Sequence, residues 1–344
     1  MLTETEILIL KNKVMEFKNI IGVDMAKETL EFVLLEKGKK KLQLQVMNQP
    51  KEIRSVFRKN KIDLKHTLIC LEHTGIYNNH LLNFFNEQGA HVWLENPVHI
   101  KRSLGLVRGK NDKIDADRIA SFAYDHQAKA RLWNPKREVI EKLKLLMSQR
   151  VRLMKAKKAL EVPIAEAKKF CLKEHVSIMK DTCRAAVRGI KKDIELVNQY
   201  IKEAIKSDER LKELFGYVTS VPNVGTIVGT AILVSTNEFK TINNARKFAC
   251  HCGVAPFEHT SGKSIRGKTR VSHMANKDLK TLLHIAALGS TSRPGELRDY
   301  FERKVAEGKN KMLILNAIRN KLIHRVFACV RDQKIFVKKD LTFV

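Results

Sequence analysis

The chain has 344 residues and carries 65 Lys and Arg against 37 Asp and Glu, a formal net charge of +28. This length predicts two or three domains, and a 44% hydrophobic content excludes global disorder. We expect neither a transmembrane helix nor a secretory signal, and six cysteines do not make a disulfide scaffold, so an intracellular, reduced protein is predicted. The charge favours a polyanionic partner, meaning nucleic acid.

The positive charge is unevenly distributed along three segments that differ in sequence texture. Residues 1–135 hold 22 basic and 16 acidic side chains, a net of +6. Residues 136–206 hold 19 and 9, and residues 207–344 hold 24 and 12, which gives +10 and +12. This pattern predicts a first domain that needs its own carboxylates and two regions that meet phosphate backbones.

The first segment alternates strand and helix patterns. Two helices are predicted at Tyr77–Gln88 and Asp115–His126. Short apolar and β-branched runs predict five strands: Asn19–Met25, Glu31–Leu35, Leu42–Met47, Thr67–Glu72 and His91–Leu94. Three meander strands followed by alternating helices and strands predict an α/β domain with a mixed sheet.

The second and third segments are predicted to be mainly helical. In residues 136–206 apolar side chains recur at roughly helical spacing, which favours long antiparallel helices or a coiled coil. A solvated helical spacer is the alternative interpretation. The third segment opens with Val221-Pro-Asn-Val-Gly225 before an apolar helix, and continues through a Gly- and Lys-rich loop, 261–270, into more helices.

Four carboxylates lie where charge is costly or where metals bind. Asp24 and Glu72 end apolar strands, and Asp112 and Asp115 begin a helix. Each has an ordinary alternative, because a strand-end carboxylate can face solvent and Asp112 can be a helix N-cap. Taken as a set, they can converge at one sheet edge and hold Mg²⁺ for an in-line phosphoryl displacement.

The loop Thr260–Arg270 combines glycines, serines and basic side chains. Glycines let a backbone approach a ligand, and the basic residues can hold phosphates: Lys263, Arg266, Lys268 and Arg270. A serine here is either a turn residue or a nucleophile toward a phosphodiester. Gly262–Thr269 matches the Gly-x4-Gly-Lys-Thr order of a phosphate loop, but the polar residues before it make this match a coincidence.

Two further features suggest a phosphate contact and a zinc site. Asn223 and Gly225 lie in a stretch that looks like a helix-hairpin-helix turn, which points backbone N–H groups at a phosphate, or else they form an ordinary helix connection. Cys250, Cys252 and His259 suggest zinc, but their spacing is too narrow for a tetrahedral site.

Several motifs together resemble one family. GVDMAK, CLEHTG and KNDKIDADRIA are similar to the Asp-Glu-Asp-Asp signature of the insertion-sequence-110 (IS110) family of transposases. VPNVGTIVGTAIL, FACHCGVAPFEHTSGKSIRGKTRVSH and KDLKTLLHIAA resemble that family's C-terminal domain. The resemblance runs over roughly residues 19–330 and departs from the family at His73 and at Ala275-Asn276.

The resemblance implies an RNase H-like (RuvC-like) α/β catalytic domain at 1–135, a helical coiled-coil region at 136–206 and a mainly α transposase domain at 207–344. It places the family's metal-binding carboxylates at Asp24, Glu72, Asp112 and Asp115, and its nucleophilic serine at Ser261. It further implies Mg²⁺, for which Mn²⁺ can substitute, together with donor and target DNA, a structured bridge RNA as guide, a tetramer and no membrane. The expected location is the cytoplasm of a bacterium or archaeon, at the nucleoid.

Two other functions remain compatible with these residues. One is a metal-dependent nuclease of the Holliday-junction type, in which water attacks the phosphate and Ser261 is structural. The other is a non-catalytic nucleic-acid-binding protein, although the presence of all four carboxylates argues against a decayed site. A covalent protein–DNA adduct that depends on Ser261 would distinguish the recombinase from both.

Overall fold

The computed structural model describes residues 17–103, 105, 112–261, 265–272 and 274–337. The chain divides into two compact units, Met1–Pro135 and Lys136–Val344, and each is described by itself. Across the described residues no helix has the length and apolar character needed to cross a membrane.

Unit 1 is built around a five-stranded sheet with the spatial order β3-β2-β1-β4-β5. Strand β2 runs antiparallel to β1 and β3, whereas β4 and β5 run parallel to β1. The strands are β1 Asn19–Met25, β2 Thr29–Glu36, β3 Lys39–Met47, β4 Thr67–Glu72 and β5 His91–Glu95. A mixed sheet in this order, with one reversed strand, has the RNase H-like topology, so this part of the predicted fold is confirmed.

Helices cover both faces of the sheet, because alternate strand residues are apolar on each side. The helices of unit 1 are α1 Pro50–Lys59, α2 Asn79–Glu87, α3 Pro97–Ser103 and α4 Asp112–His126. Helices α1 and α2 pack on the face that carries Ile21, Val23 and Ile69, whereas α3 and α4 pack on the face that carries Ile20 and Cys70.

The two edge strands of the sheet differ from the buried ones. Strand β3 begins with three exposed lysines, Lys39–Lys41, and remains only partly buried along most of its length. At the other edge, Leu132 forms an antiparallel bridge with Trp93 of β5, and the Trp133 backbone N–H donates to the Val92 carbonyl at 2.6 Å. The outer side of β5 is therefore covered by the chain itself.

Unit 2 begins with two long helices, α5 Glu138–Phe170 and α6 Lys173–Lys206, joined by two residues. They form an antiparallel hairpin, because Arg150 donates to Asn198 and Lys191 pairs with Glu161, so that residue numbers rise on one helix as they fall on the other. The helical prediction for this segment is confirmed, and coiled-coil packing stays a prediction.

The remainder of unit 2 packs into one apolar core with the base of this hairpin. Its helices are α7 Glu209–Ser220, α8 Thr226–Thr236, α9 Ala245–His251, α10 Lys277–Ser292, α11 Glu296–Ala306 and α12 Lys311–Arg331. Strands β6 Pro256–Ser261 and β7 Ile265–Val271 form an antiparallel hairpin. The expectation of an irregular loop at 261–270 was wrong for Ser261, which ends β6, and for residues 265–270, which belong to β7.

Arg137 joins three segments of unit 2 at the start of α5. Its guanidinium donates to both carboxylate oxygens of Asp208, the N-cap of α7, at 2.7 and 3.0 Å. It also donates to Glu238, at 2.9 and 2.6 Å, and the Glu238 side chain is completely buried. Lys240 and Arg210 approach the same carboxylate at 3.2 and 3.3 Å, so the buried charge is compensated.

Candidate functional site

Asp24 and Glu72 occupy neighbouring positions at the carboxyl end of two parallel strands. Strands β1 and β4 pair in parallel with Val23 opposite Leu71, so the next residue of each strand is the acidic one. Alternation along the strands turns both side chains to the face where Cys70 lies. Burial raises the pKa of the Cys70 thiol, and the Glu95 and Glu72 carboxylates raise it further, which places these two charges beside it.

The chain that leaves each of these strands is fastened by a buried asparagine. Asn78 is 1% exposed and donates to the Glu72 carbonyl at 2.8 Å. Asn48 donates to the Ala26 carbonyl at 3.3 Å and to the Tyr77 carbonyl at 3.0 Å. The Asn48 bonds tie the segment that follows Asp24 to the segment that follows Glu72, and they satisfy one carbonyl group in each segment.

Helix α4 brings Asp112 and Asp115 to the same edge of the sheet. It crosses β1 at Gly22, where a Cβ would lie 2.7 Å from Ala120 Cα and closer still to the Ala116 carbonyl oxygen. Tyr124, near the C-terminus of α4, packs on Gly38 in the β2–β3 turn, which lies at the opposite end of the strands. The helix therefore runs antiparallel to β1, and its first turn lies where β1 ends.

Within that first turn the structure describes the side chain of Asp115 but not that of Asp112. Arg118 donates to an Asp115 oxygen at 2.8 Å, and both side chains are mostly buried. The N-terminus of a helix carries a partial positive charge, which stabilises acidic groups there. This edge therefore combines the carboxylates of Asp24, Glu72 and Asp115 with one guanidinium, that of Arg118, and with a helix N-terminus.

Two carboxylates at this edge were missed by the sequence reasoning. Glu31 of β2 lies directly opposite Asp24 and is 3% exposed, and its Oε2 has no hydrogen-bond partner among the described residues. Glu95 of β5 lies opposite Glu72, and its oxygens accept from Trp93 Nε1 at 3.0 Å and from His99 Nδ1 at 2.9 Å. An acidic residue inside an otherwise apolar strand was the available signal for Glu31, and a strand-end position was the signal for Glu95.

The donor chemistry of this edge suits a hard divalent cation, since carboxylate oxygens are what Mg²⁺ prefers. Glu31 Oε2, opposite Asp24, has no donor in the described part of the chain, and this favours such an ion because a buried carboxylate oxygen without a donor is costly. Among the described side chains no three acidic, His or Cys groups are close enough to form a ready-made metal cluster. The side chain of Asp112 lies outside this described set.

The predicted serine lies in the other unit, at the end of β6. Ser261 pairs with Ile265 across the β6–β7 hairpin, so it stands at the hairpin tip. The side chain of Ser261 and those of Lys263, Arg266 and Lys268 lie outside the described part, whereas Arg270 is exposed and pairs with Phe257. Gly267–Thr269 belong to strand β7, whereas a phosphate loop leads directly into a helix. The match to the phosphate-loop sequence is therefore not matched by the structure.

The VPNVG stretch joins α7 to α8. Gly225 is the N-cap of α8, and no side chain in the described part of the protein caps that helix N-terminus. Asn223 has a positive φ of 68° and packs with its side-chain amide beside Gly289 of α10. Two helices joined by a short turn fit both a helix-hairpin-helix turn and an ordinary helix connection, and phosphate binding by Asn223 and Gly225 stays a prediction.

Comparison with known proteins adds the family. Residues 21–166 match a DEDD transposase model of IS110, and residues 216–302 match a model described as the transposase IS116/IS110/IS902 family, together more than half of the chain. The chain belongs to the IS110 family of transposases. The first match contains the four predicted carboxylates, and the second contains the α7–α8 turn and the β6–β7 hairpin.

This IS110-family chain is similar to a gene-inverting protein and to an insertion-element protein. It is 26% identical to the pilin gene-inverting protein of Moraxella bovis, over 94% of this chain and 98% of that protein. It is 29% identical to an uncharacterized 43.6 kDa protein of the insertion element IS110 from Streptomyces coelicolor, over 33% of this chain and 28% of the other. Among solved structures, Thermus thermophilus RuvC in complex with a Holliday junction aligns with a TM-score of 0.27 at 14% identity, over 33% of this chain and 99% of RuvC.

Proposed function

We propose that this transposase cuts and rejoins DNA strands during movement of an insertion sequence, with the acidic edge of unit 1 as its metal-dependent centre. The observation that carries the proposal is the placement of Asp24, Glu72 and the first turn of α4 at one edge of an RNase H-like sheet. The ligands of the cation would be Asp24, Glu72, Asp112 and Asp115. Bound Mg²⁺, or Mn²⁺ in its place, would supply Lewis acidity toward a phosphate oxygen.

The proposed nucleophile is Ser261. Its Oγ forms a bond to phosphorus as the P–O3′ bond of the DNA strand breaks, and the hydroxyl proton ends on the released 3′ oxygen. A second 3′ hydroxyl then reverses these steps on the phosphoserine, so the strand is rejoined without loss of bond energy. Lys263, Arg266, Lys268 and Arg270 along the hairpin, and the N-terminus of α8 at Gly225, hold flanking phosphates.

Assembly and guidance complete the proposal. The carboxylates and Ser261 belong to different compact units. We propose a homotetramer in which the acidic edge of one protomer meets Ser261 of another, on donor and target DNA selected by base pairing with a structured bridge RNA. Sequencing of RNA that co-purifies with the chain tests the guide, since a specific structured RNA is expected and a random RNA population contradicts it.

The decisive experiment traps the covalent step. Ser261→Ala and Asp24→Ala are assayed separately for strand exchange, and denaturing gels reveal protein–DNA adducts. We expect loss of exchange in both variants and an adduct that is absent from Ser261→Ala. Strand exchange that persists in either variant contradicts the assignment of that residue.

A second candidate is a metal-dependent nuclease in which water is the nucleophile. It is favoured by the fact that the acidic edge lies entirely within unit 1, so hydrolysis would need no group from unit 2. In that case Ser261→Ala would still cut DNA in Mg²⁺, and no adduct would form. A non-catalytic nucleic-acid-binding protein would cut DNA neither as the parent chain nor as Ser261→Ala.

A further inference from the structure

Two packed helices of unit 2 place three basic side chains together. Lys280 and His284 lie one turn apart on α10, and Arg319 lies on α12, which packs against α10. Arg319 is 4% exposed, and its Nε has no hydrogen-bond partner among the described residues. The Nδ1 atom of His284 is also buried and unpartnered. Helix α10 contains the KDLKTLLHIAA motif, which the proposed chemistry does not use.

No described carboxylate compensates these charges. None of the three side chains forms an ion pair within the part of the chain that the structure describes. Burial lowers the pKa of Arg319, and it lowers the pKa of Lys280 and of His284 with a further decrease from the Arg319 charge. A buried cation without a counter-ion is expensive, whereas the buried Glu238 in the same unit is surrounded by cations.

The cluster lies at the base of the β6–β7 hairpin. Gly253, with a φ of 63°, brings the turn after α9 so close that a Cβ there would lie 3.8 Å from Lys280 Cδ and 2.5 Å from the Ala275 Cβ. Asn316, on α12, donates to the Val254 carbonyl at 2.8 Å and holds the same turn. The basic cluster therefore adjoins the chain segments that enter and leave the hairpin.

We infer that Lys280, His284 and Arg319 form an anion site for a backbone phosphate of bound nucleic acid, at a position distinct from the phosphate that is cut. A guanidinium and an ammonium are the groups that proteins use for phosphate oxygens. The phosphate supplies the missing negative charge of the buried Arg319, and its binding fixes the base of the serine-bearing hairpin against α10 and α12. The inference does not depend on the cutting chemistry, because binding is measured without cleavage.

The test uses the full chain and two site variants, Arg319→Gln and Lys280→Gln. Arg331→Gln is the matched control, because Arg331 is on the same helix but is exposed and paired with Asp332 at 2.8 Å. Thermal unfolding is followed in inorganic phosphate and in chloride at equal ionic strength. Binding of a labelled duplex DNA and a labelled RNA hairpin is followed by anisotropy across a range of salt concentrations.

We expect phosphate to raise the melting temperature of the parent chain and of Arg331→Gln, with most of that increase absent from the site variants. We also expect the slope of log affinity against log salt to shrink by about 0.9 for duplex DNA on loss of one phosphate contact, or by about 0.7 for single-stranded segments. A change with DNA alone or with RNA alone supports the site and identifies its source.

Three outcomes would overturn the inference. The first is a normal phosphate response together with parental salt slopes in both site variants. The second is a loss of the phosphate response in Arg331→Gln as large as the loss in the two site variants, which would show a general charge effect. The third is a lost phosphate response with unchanged slopes for both nucleic acids, which would mean a site for free phosphate only. If Arg319→Gln does not fold, the partly exposed Lys280 still provides the test through Lys280→Gln.

Discussion

Gly22 is the point at which helix α4 touches the sheet, and adding one methyl group there should separate the two. In Gly22→Ala the new Cβ would lie 2.7 Å from Ala120 Cα, where ordinary contacts begin at 3.4 Å. The obstructing atoms belong to the helix backbone, so no side-chain rotation can relieve the contact. The whole helix has to move away from β1 by about 1 Å.

That displacement should cost both stability and activity. Overpacking of a well-packed core costs about 1–3 kcal/mol, and we expect a loss near the upper end because a complete helix must shift. The same movement carries Asp115 away from Asp24 and Glu72. A misplacement of about 1 Å at a catalytic group can lower the rate by about 100-fold.

Tryptophan fluorescence isolates the relevant unit, because both tryptophans of the chain, Trp93 and Trp133, lie in unit 1. Urea unfolding of Gly22→Ala is followed by this signal, and Mg²⁺-dependent DNA cutting is measured at a temperature where the variant is folded. The matched control is Val92→Ala, which removes buried volume on the opposite face of the sheet. It should lose comparable stability and keep near-parental cutting.

Parental stability in Gly22→Ala would refute the geometry of the α4–β1 contact. Equal residual cutting in Gly22→Ala and Val92→Ala would refute the link between helix position and the acidic edge. In that case the loss of activity would reflect stability alone.

Three further predictions concern other residues. Glu31→Gln removes a buried charge whose Oε2 lacks a partner among the described side chains, so the metal-free chain should gain roughly 1 kcal/mol while stabilisation by Mg²⁺ shrinks. Thermal unfolding in chelator and in Mg²⁺ measures both effects, and unchanged unfolding curves contradict the prediction. Arg137→Ala should cost about 3 kcal/mol at neutral pH, because it removes the charge-assisted hydrogen bonds to Asp208 and to the buried Glu238, which keeps only Lys240 and Arg210 nearby. Urea unfolding followed by circular dichroism measures this cost. Arg137 lowers the pKa of Asp208 below its usual 3.8, so the contribution of this pair to stability is complete above about pH 4 and is lost as the pH falls. The stability lost in Arg137→Ala should therefore shrink in acid. A loss that stays constant with pH argues against the pair. Gly189→Ala, in open space on α6, should stabilise the hairpin by about 0.5–1 kcal/mol, and a loss would show a contact that the structure lacks.

Local patterns predicted the sheet of unit 1 well. Strands β1 and β4 have the predicted bounds, because continuous apolar runs at their length are typical of buried parallel strands. Helix α1, at Pro50–Lys59, was missed, since only Ile53 and Phe57 are fully buried among its charged residues. An amphipathic helix with so few apolar positions gives a weak periodic signal.

The sequence predicted which carboxylates lie at strand ends, but not which of the strands are neighbours in the sheet. Carboxylates at the ends of β1 and β4 had to meet once the strands were parallel neighbours, but their order in the sheet is a property of the fold. Glu31 could not be assigned, because its role depends on a register that pairs it with Asp24. The cluster around Arg319 joins residues from helices distant in sequence, and no local spacing connects them.

The edges of the unit 1 sheet limit how copies of this chain can associate. An exposed strand edge invites pairing with another sheet, and three lysines at the start of β3 bring like charges together wherever two such edges meet. At β5 the Leu132–Trp133 segment already occupies the hydrogen-bonding positions of Val92 and Trp93. Joining of protomers by extension of the unit 1 sheet into a continuous intermolecular sheet is therefore disfavoured at both of its edges.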